Sequence, residues 1–396
     1  MSAGDAQSLD GSRTVPAEPD KPVLLYLVTE DWYFCSHRLP VARAARSAGW
    51  DVVVATRVGS HGDRIRREGF RLVPIRLRRR SLAPWREIAA IAGLLRLYRR
   101  ERPDMVHHVG MKPVLYGSFA AAMTGVPVVV NALAGMGYVF TSTGLKARVL
   151  RPFVKMAFRR LLDRSNSRVI LQNPDDVAAM VDGTVAAERV ALIRGSGVDT
   201  KAFAGTNEPD GIPVAVMVSR MLWDKGVGEW VQAARLLRRR KVRLRVVLVG
   251  SPDPENPASI PEHQLRDWDS AGDVAWWGER SDIARIWADS HIAVLPSYYG
   301  EGVPKSLLEA GASARPMLAT NMSGCREIVV DGITGILVPP RDVAALAEGL
   351  EALARDKSLR QRLGAAAREL VEREFSEAKV VEQTMALYRA VRARAQ

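Results

Sequence analysis

The stretch Glu301-Gly-Val-Pro-Lys-Ser-Leu-Leu-Glu309 sets two carboxylates eight positions apart around a Gly-Val-Pro turn that opens an apolar helical pattern. Pro304 suits the first turn of a helix, and the free N–H groups at such a terminus attract phosphate. Glu301 then sits in the loop at the helix mouth. Glu309, one to two turns further in, can face the same space. One acid near a bound phosphate and another deeper down suit a phosphorylated, hydroxyl-rich ligand such as a sugar nucleotide. A solvated helix start with two surface glutamates would read the same, so the rest of the chain must decide.

Further chemistry lies upstream. Val218-Ser-Arg220-Met-Leu-Trp-Asp-Lys225 places Arg220 just past a strand end and Lys225 in the loop that starts the next helix. Strand ends and helix starts are where open α/β sheets bind ligands. Two cations there would neutralise a diphosphate, a group that must leave with two negative charges. Asp267-Trp-Asp269 has the letters of an Asp-x-Asp metal motif, but it sits in a polar stretch before a strand and is read as no metal site. The residues ask for no cofactor.

The elements that must position these groups alternate along the whole chain. β-like runs at 23–29, 50–56, 70–76, 104–109, 127–133 and 168–173 are interleaved with helical patterns, including helices near 38–48, 61–68 and 84–101. The series resumes at 213–220, 243–250, 273–278, 292–297 and 316–320. Continuous apolar strands between helices imply parallel sheets covered on both faces. Two such series imply an α/β chain of two doubly wound, Rossmann-like domains. The expected boundaries are an extension over 1–20, a first domain over 21–195, a linker over 196–212 and a second domain over 213–375. A terminal helix over 376–396 could cross back to the first domain.

With 396 residues, 47% apolar and 26% charged, the chain is long enough for two cores and is not generally disordered. Residues 1–20 are polar, without the apolar core of a signal peptide, and read as disordered. No window offers the roughly 20 apolar residues of a membrane span. Cys35 and Cys325 read as reduced thiols, without metal-site spacing. The net charge of +13 gathers in the first half: 63–104 holds thirteen Lys/Arg against five Asp/Glu, and 146–168 eight against one. In 146–164, Arg148, Arg151, Lys155 and Arg159 recur at helical spacing among Val149, Leu150, Phe153, Val154, Met156 and Phe158. Such a helix can lie on anionic lipid or simply be a solvated basic face. Nucleic acid is not expected, because no recognition motif or aromatic platform accompanies the charge.

The segments 218–227, 273–283, 294–320 and 323–342, taken in order, resemble the donor domain of the retaining glycosyltransferases of family 4. That family has the GT-B fold, two Rossmann-like domains facing across a cleft. Gly195-Ser-Gly-Val-Asp-Thr-Lys-Ala-Phe203 is similar to the family's interdomain Asn-Gly-Val-Asp signature, with Ser196 at the Asn position. The resemblance covers about 21–390 and is most specific over 194–345. It implies Arg220 and Lys225 on the donor diphosphate, Glu301 on the donor sugar, and backbone from Gly302, Val303 and Pro304 on sugar and phosphate, with Lys305 beside them. It further implies Glu309 on the ribose hydroxyls and Arg280 near the nucleobase. The chemistry implied is metal-independent, retaining transfer of a sugar from a nucleoside-diphosphate sugar to a hydroxyl. Front-face attack is expected, a donor phosphate oxygen taking the acceptor proton.

The first domain departs from the family pattern. The loop after the first strand, 29–38, lacks a glycine pair, and Val109 stands at the second histidine position of His-x-His. Ala134 replaces a later histidine. His107 is therefore the candidate for the strand-end histidine that contacts the donor sugar, although such a histidine can be purely structural, and Lys112 is a further polar contact. Segments 36–40, 107–118 and 134–142 resemble the subgroup that extends polyprenyl-diphosphate-linked saccharides. They make Ser36, His37, Lys112, Gly135 and Gly137 acceptor-side candidates. This implies a UDP-sugar donor, a lipid-linked saccharide acceptor, and a cytoplasmic protein held at the inner face of an anionic membrane. The alternatives are a sugar-nucleotide epimerase or hydrolase of the same fold and a non-catalytic basic membrane-associated protein.

Overall fold

The computed structural model describes residues 21–78, 83–135, 145–300 and 302–394, and of 145–150 the backbone alone. The expected extension over 1–20 lies outside the described residues. The first half runs β1 (Val23–Glu30), α1 (Asp31–His37), α2 (Leu39–Ser47), β2 (Asp51–Arg57), α3 (Gly62–Arg67), β3 (Arg71–Pro74) and α4 (Pro84–Glu101). It continues through β4 (Met105–Val109), α5 (Met111–Thr124), β5 (Val128–Ala132), α6 (Leu145–Leu162), β6 (Ser167–Leu171), α7 (Pro174–Val181) and β7 (Val190–Leu192). Its parallel sheet has the order β3-β2-β1-β4-β5-β6-β7. In the inner strands, residues are buried whichever face they point to. Leu24, Tyr26 and Val28 belong to one core, Leu25 and Leu27 to the core on the other side. Helices on both faces therefore account for the unbroken apolar runs.

The second half comprises β8 (Val214–Val218), α8 (Val227–Arg239), β9 (Arg245–Val249), α9 (Glu262–Ser270), β10 (Ala275–Trp276), α10 (Ile283–Ala288) and β11 (Ile292–Leu295). Next come α11 (Lys305–Ala312), β12 (Met317–Thr320), α12 (Ser323–Arg326), β13 (Gly335–Val338), α13 (Val343–Arg355) and α14 (Lys357–Leu370). The six-stranded parallel sheet is ordered β10-β9-β8-β11-β12-β13. In each sheet the order reverses beside the first strand, between β1 and β4 and between β8 and β11. Such reversals open a crevice at the carboxyl ends of the strands. Arg220 follows β8, and the Gly302–Pro304 turn follows β11, so both stand at that place in the second half.

After a single wide turn over Val371–Phe375, α15 (Glu377–Ala393) returns to the first half. Its Val380, Met385, Tyr388 and Val391 enter the core that holds Leu24 and Tyr26. The Tyr388 and Tyr26 hydroxyls share a hydrogen bond of 2.9 Å. Three local expectations are corrected. Residues 31–37, read as loop, form α1, because the buried Asp31 carboxylate accepts the N–H groups of Trp32, Gly59 and His61 and anchors the turn to the loop after β2. β7 and β13, each of four residues or fewer, had not been anticipated. Lys112, expected in the loop after the fourth strand, lies in the first turn of α5.

Candidate active site between the two halves

Sequence places two cations at the head of the second sheet, and local geometry fixes them. Arg220 donates through Nη1 to Asp253 Oδ2 at 2.7 Å, and its side chain stays 40% exposed. A guanidinium held by one carboxylate keeps further N–H donors for a ligand. Lys225 closes a 3₁₀ turn, Trp223–Lys225, ahead of α8. Gly226 then takes φ +80°, and a Cβ there would come within 2.1 Å of the Pro296 carbonyl oxygen, so only glycine lets this turn press against the end of β11. Ser297 Oγ and the Tyr298 N–H both donate to the Asp224 carbonyl, tying the turn to the loop after β11.

That loop also meets the first half. The N–H of Gly302 donates to the Ala134 carbonyl at 2.9 Å, and the N–H of Val303 to Gln172 Oε1 at 3.0 Å. A Cβ on Gly302 would lie 2.0 Å from the same Gln172 oxygen. In this structure the facing half therefore engages both of these N–H groups. Gly135 follows Ala134 and so stands beside this contact. Glu301 and Gly137 lie outside the described residues.

Pro304 takes the cap position of α11, one residue before the first turn, and supplies no side-chain cap. Lys305 crosses to α1, where its Nζ donates to the Ser36 carbonyl and, at 3.1 Å, to Ser36 Oγ. An expected donor-side cation and an expected acceptor-side hydroxyl are thus joined. Burial pulls the Lys305 ammonium below its ordinary pKa, against the opposing charge of Glu309 one helical turn on. Glu309 is half-buried. Burial pushes its carboxyl up to about 7, with Lys305 opposing. The Trp287 indole N–H lies beside it without closing a hydrogen bond. Arg280 is exposed and bidentate to Asp282 at 2.8 and 2.6 Å, beside a surface hollow of about 400 Å³ that Trp277 also lines.

The first-half candidates separate. Lys112 is tied to Glu87 at 3.1 Å and to the Arg78 carbonyl, so α4 and α5 hold it. His107 does not stand at a strand end. It sits mid-β4, fully buried, stacked on Tyr26 with centroids 5.1 Å apart and with Nδ1 bonded to the Tyr388 hydroxyl. Burial, followed by the nearby Arg38 charge, drives its pKa well below the ordinary value, and its Nε2 has no partner. His37 stacks on Tyr33 with centroids 4.0 Å apart, and its ring lies beside the Tyr33 backbone without Nδ1 closing a hydrogen bond. Sequence reasoning passed over Arg38, Gln172 and Asp253. Arg38 and Gln172 stood in segments already singled out and Asp253 just past the run at 243–250, but each matters through contacts 33 to 131 positions away or through burial, which spacing does not reveal. Among the described residues no group of three His, Cys, Asp or Glu could hold a metal.

Against this geometry the chain matches two family models. Residues 198–370 match "Glycosyl transferases group 1", and residues 23–173 match "Glycosyl transferase 4-like". The molecule is therefore assembled from two glycosyltransferase domains and is a glycosyltransferase of GT-B architecture. The chain is 26% identical to the N,N'-diacetylbacillosaminyl-diphospho-undecaprenol alpha-1,3-N-acetylgalactosaminyltransferase of Campylobacter jejuni, over 82% of this chain and 88% of that one. It is 27% identical to the UDP-Gal:alpha-D-GlcNAc-diphosphoundecaprenol alpha-1,3-galactosyltransferase of Escherichia coli, over 71% and 74%. In fold it is similar to a sucrose-phosphate synthase from Thermosynechococcus elongatus, with a TM-score of 0.77 at 20% identity, covering 94% of this chain and 100% of the other.

Proposed function

We propose that the protein transfers a hexose or N-acetylhexosamine from a UDP-sugar to a hydroxyl of a saccharide carried on a polyprenyl diphosphate, with retention at the anomeric carbon and without a metal. The observation that carries this reading is the gathering of second-half cations on α1: Lys305 bonds to Ser36, and Arg220 lies close enough to act on the Tyr33 hydroxyl. Fixed cations in a partly desolvated gap address the negative charge that develops on a departing diphosphate. Glu309 would accept ribose hydroxyls, and Glu301 would orient the sugar and steady its positive charge. The names of the two relatives supply the acceptor class.

The lipid part of the acceptor finds support in the first half. A groove of about 970 Å³ beside α4 has Val73, Ile75 and Leu97 in its walls and Arg76, Arg86 and Arg96 along it. Trp85 and Ile88 on α4 and Phe153 and Met156 on α6 are exposed by 50–70%. Apolar side chains among arginines suit an anionic membrane surface. No described helix is long and apolar enough to cross one. The test is a panel of UDP-, GDP- and dTDP-sugars with and without EDTA, read by donor hydrolysis, with the product anomer assigned by NMR. UDP-sugar turnover that survives EDTA supports the reading; no turnover of any donor, or an inverted product, defeats it.

A further inference from the structure

Four described arginines are nine-tenths or more buried: Arg38, Arg168, Arg315 and Arg360. Arg315 donates to carbonyls of Thr206, Asn207, Trp287 and Ala288 and to the Thr206 hydroxyl. Arg360 forms a fork with Glu208, and Arg168 reaches the Ser165 and Ser167 carbonyls. Arg38 differs. It is 4% exposed, its Nε has no partner, and no hydrogen bond or carboxylate engages its guanidinium among the described residues. A buried cation without a counter-charge is costly, so such a group ordinarily marks a place where an anion belongs.

Its neighbours share the deficiency. Arg38 closes α1 at its C-terminal end, next to His37, whose ring lies by the Tyr33 backbone without Nδ1 closing a hydrogen bond. His107 Nε2 is unpartnered too, although the adjacent His108 has both ring nitrogens engaged, by Tyr98 and Asn131. In the tautomer where His107 Nδ1 accepts from Tyr388, Nε2–H is a donor with nothing to receive it. Tyr26 links these groups: its ring stacks on His107 and meets Phe34 of α1 edge-on at 5.5 Å, and the Phe34 carbonyl accepts the Arg38 N–H. The Arg38 charge accordingly acts on Tyr26, Tyr33, His37, His107 and Tyr388. The site lies against the gap between the halves, because Ser36 holds Lys305, and Tyr33 also feels Arg220.

We propose that Arg38, His37 and His107 form an oxyanion subsite on the first-half wall of the gap, which receives a phosphoryl oxygen of the acceptor or a carboxylate carried by one of the sugars. This rests on the glycosyltransfer reading and adds a second anion site, distinct from the one at Arg220 and Lys225.

The test uses the full chain saturated with UDP, so that the cations of the second half are occupied, and follows thermal shift on adding methyl phosphate or glucuronate. The shift with UDP alone reports on the nucleotide site, whether or not a second anion binds. The expected result is a further shift with at least one probe in the wild type, weakened about tenfold or more in affinity in Arg38→Met and partly restored in Arg38→Lys. Ligand-free Arg38→Met should melt no lower than wild type, because an unpaired buried charge has been removed. A response to methyl phosphate alone assigns the site to a phosphoryl group, and a response to glucuronate alone assigns it to a carboxylate. No second shift in wild type, an equal shift in Arg38→Met, or a variant that unfolds because the guanidinium is structural would each overturn the assignment.

Discussion

Arg220, Lys225 and Glu309 test the chemistry one side chain at a time. Arg220 is held by Asp253 yet remains 40% exposed, so removing its charge should cost catalysis and little stability. Arg220→Met is expected to lower UDP-sugar turnover by about a hundredfold, as loss of a charged transition-state contact does, while the melting temperature stays within about two degrees. Steady-state kinetics and calorimetry on one preparation decide it. Glu309 allows a prediction with a definite sign. Its folded pKa, about 7, lies above the ordinary 4.5, so the folded state binds the proton more tightly than the unfolded chain. The resulting penalty is absent below the ordinary value, grows as pH rises and is complete above about 7. Glu309→Gln should therefore melt like wild type near pH 4 and higher than wild type at pH 8, with UDP affinity reduced. A stability difference independent of pH would refute the burial account of this carboxyl.

At the scale of elements, the loop between β11 and α11 is where the halves touch. Gly302 has no room for a side chain, since its Cβ would sit 2.0 Å from Gln172 Oε1. Gly302→Ala should displace Gln172, remove the bond to the Val303 N–H and weaken closure by about 1–2 kcal/mol. Small-angle scattering should report a larger radius of gyration, and turnover should fall; unchanged scattering and turnover would show that this contact does not govern closure. The alternation of apolar runs made both parallel sheets legible, because strands covered on both faces keep no polar side. α4, expected at 84–101, spans those residues. The stretch 31–37 was misread because its order comes from Asp31 gripping N–H groups of Gly59 and His61, nearly thirty positions on. The surroundings of His107 were hidden for a related reason: it sits mid-strand, and its partner, Tyr388, arrives from the other end of the chain. Local letters carried the cations of the second half, whereas the contacts that bury or satisfy a group belong to the folded whole.

For the whole molecule, the first half presents arginines and exposed apolar side chains on α4 and α6, and this should make attachment to anionic lipid sensitive to salt. Sedimentation with phosphatidylglycerol vesicles should fall steeply between about 50 and 500 mM salt, as screening shortens the reach of surface charge. Binding that ignores salt, or that is equal for neutral vesicles, would argue against a basic docking face. The central claim is that Arg220 and Lys225, at the head of the second sheet, receive the diphosphate of a nucleotide sugar. The most direct measurement is UDP binding by calorimetry to wild type and to Arg220→Met/Lys225→Met. The account predicts saturable 1:1 binding to the wild type and a loss of about a hundredfold or more in the double variant. Equal affinity in the two proteins would contradict it.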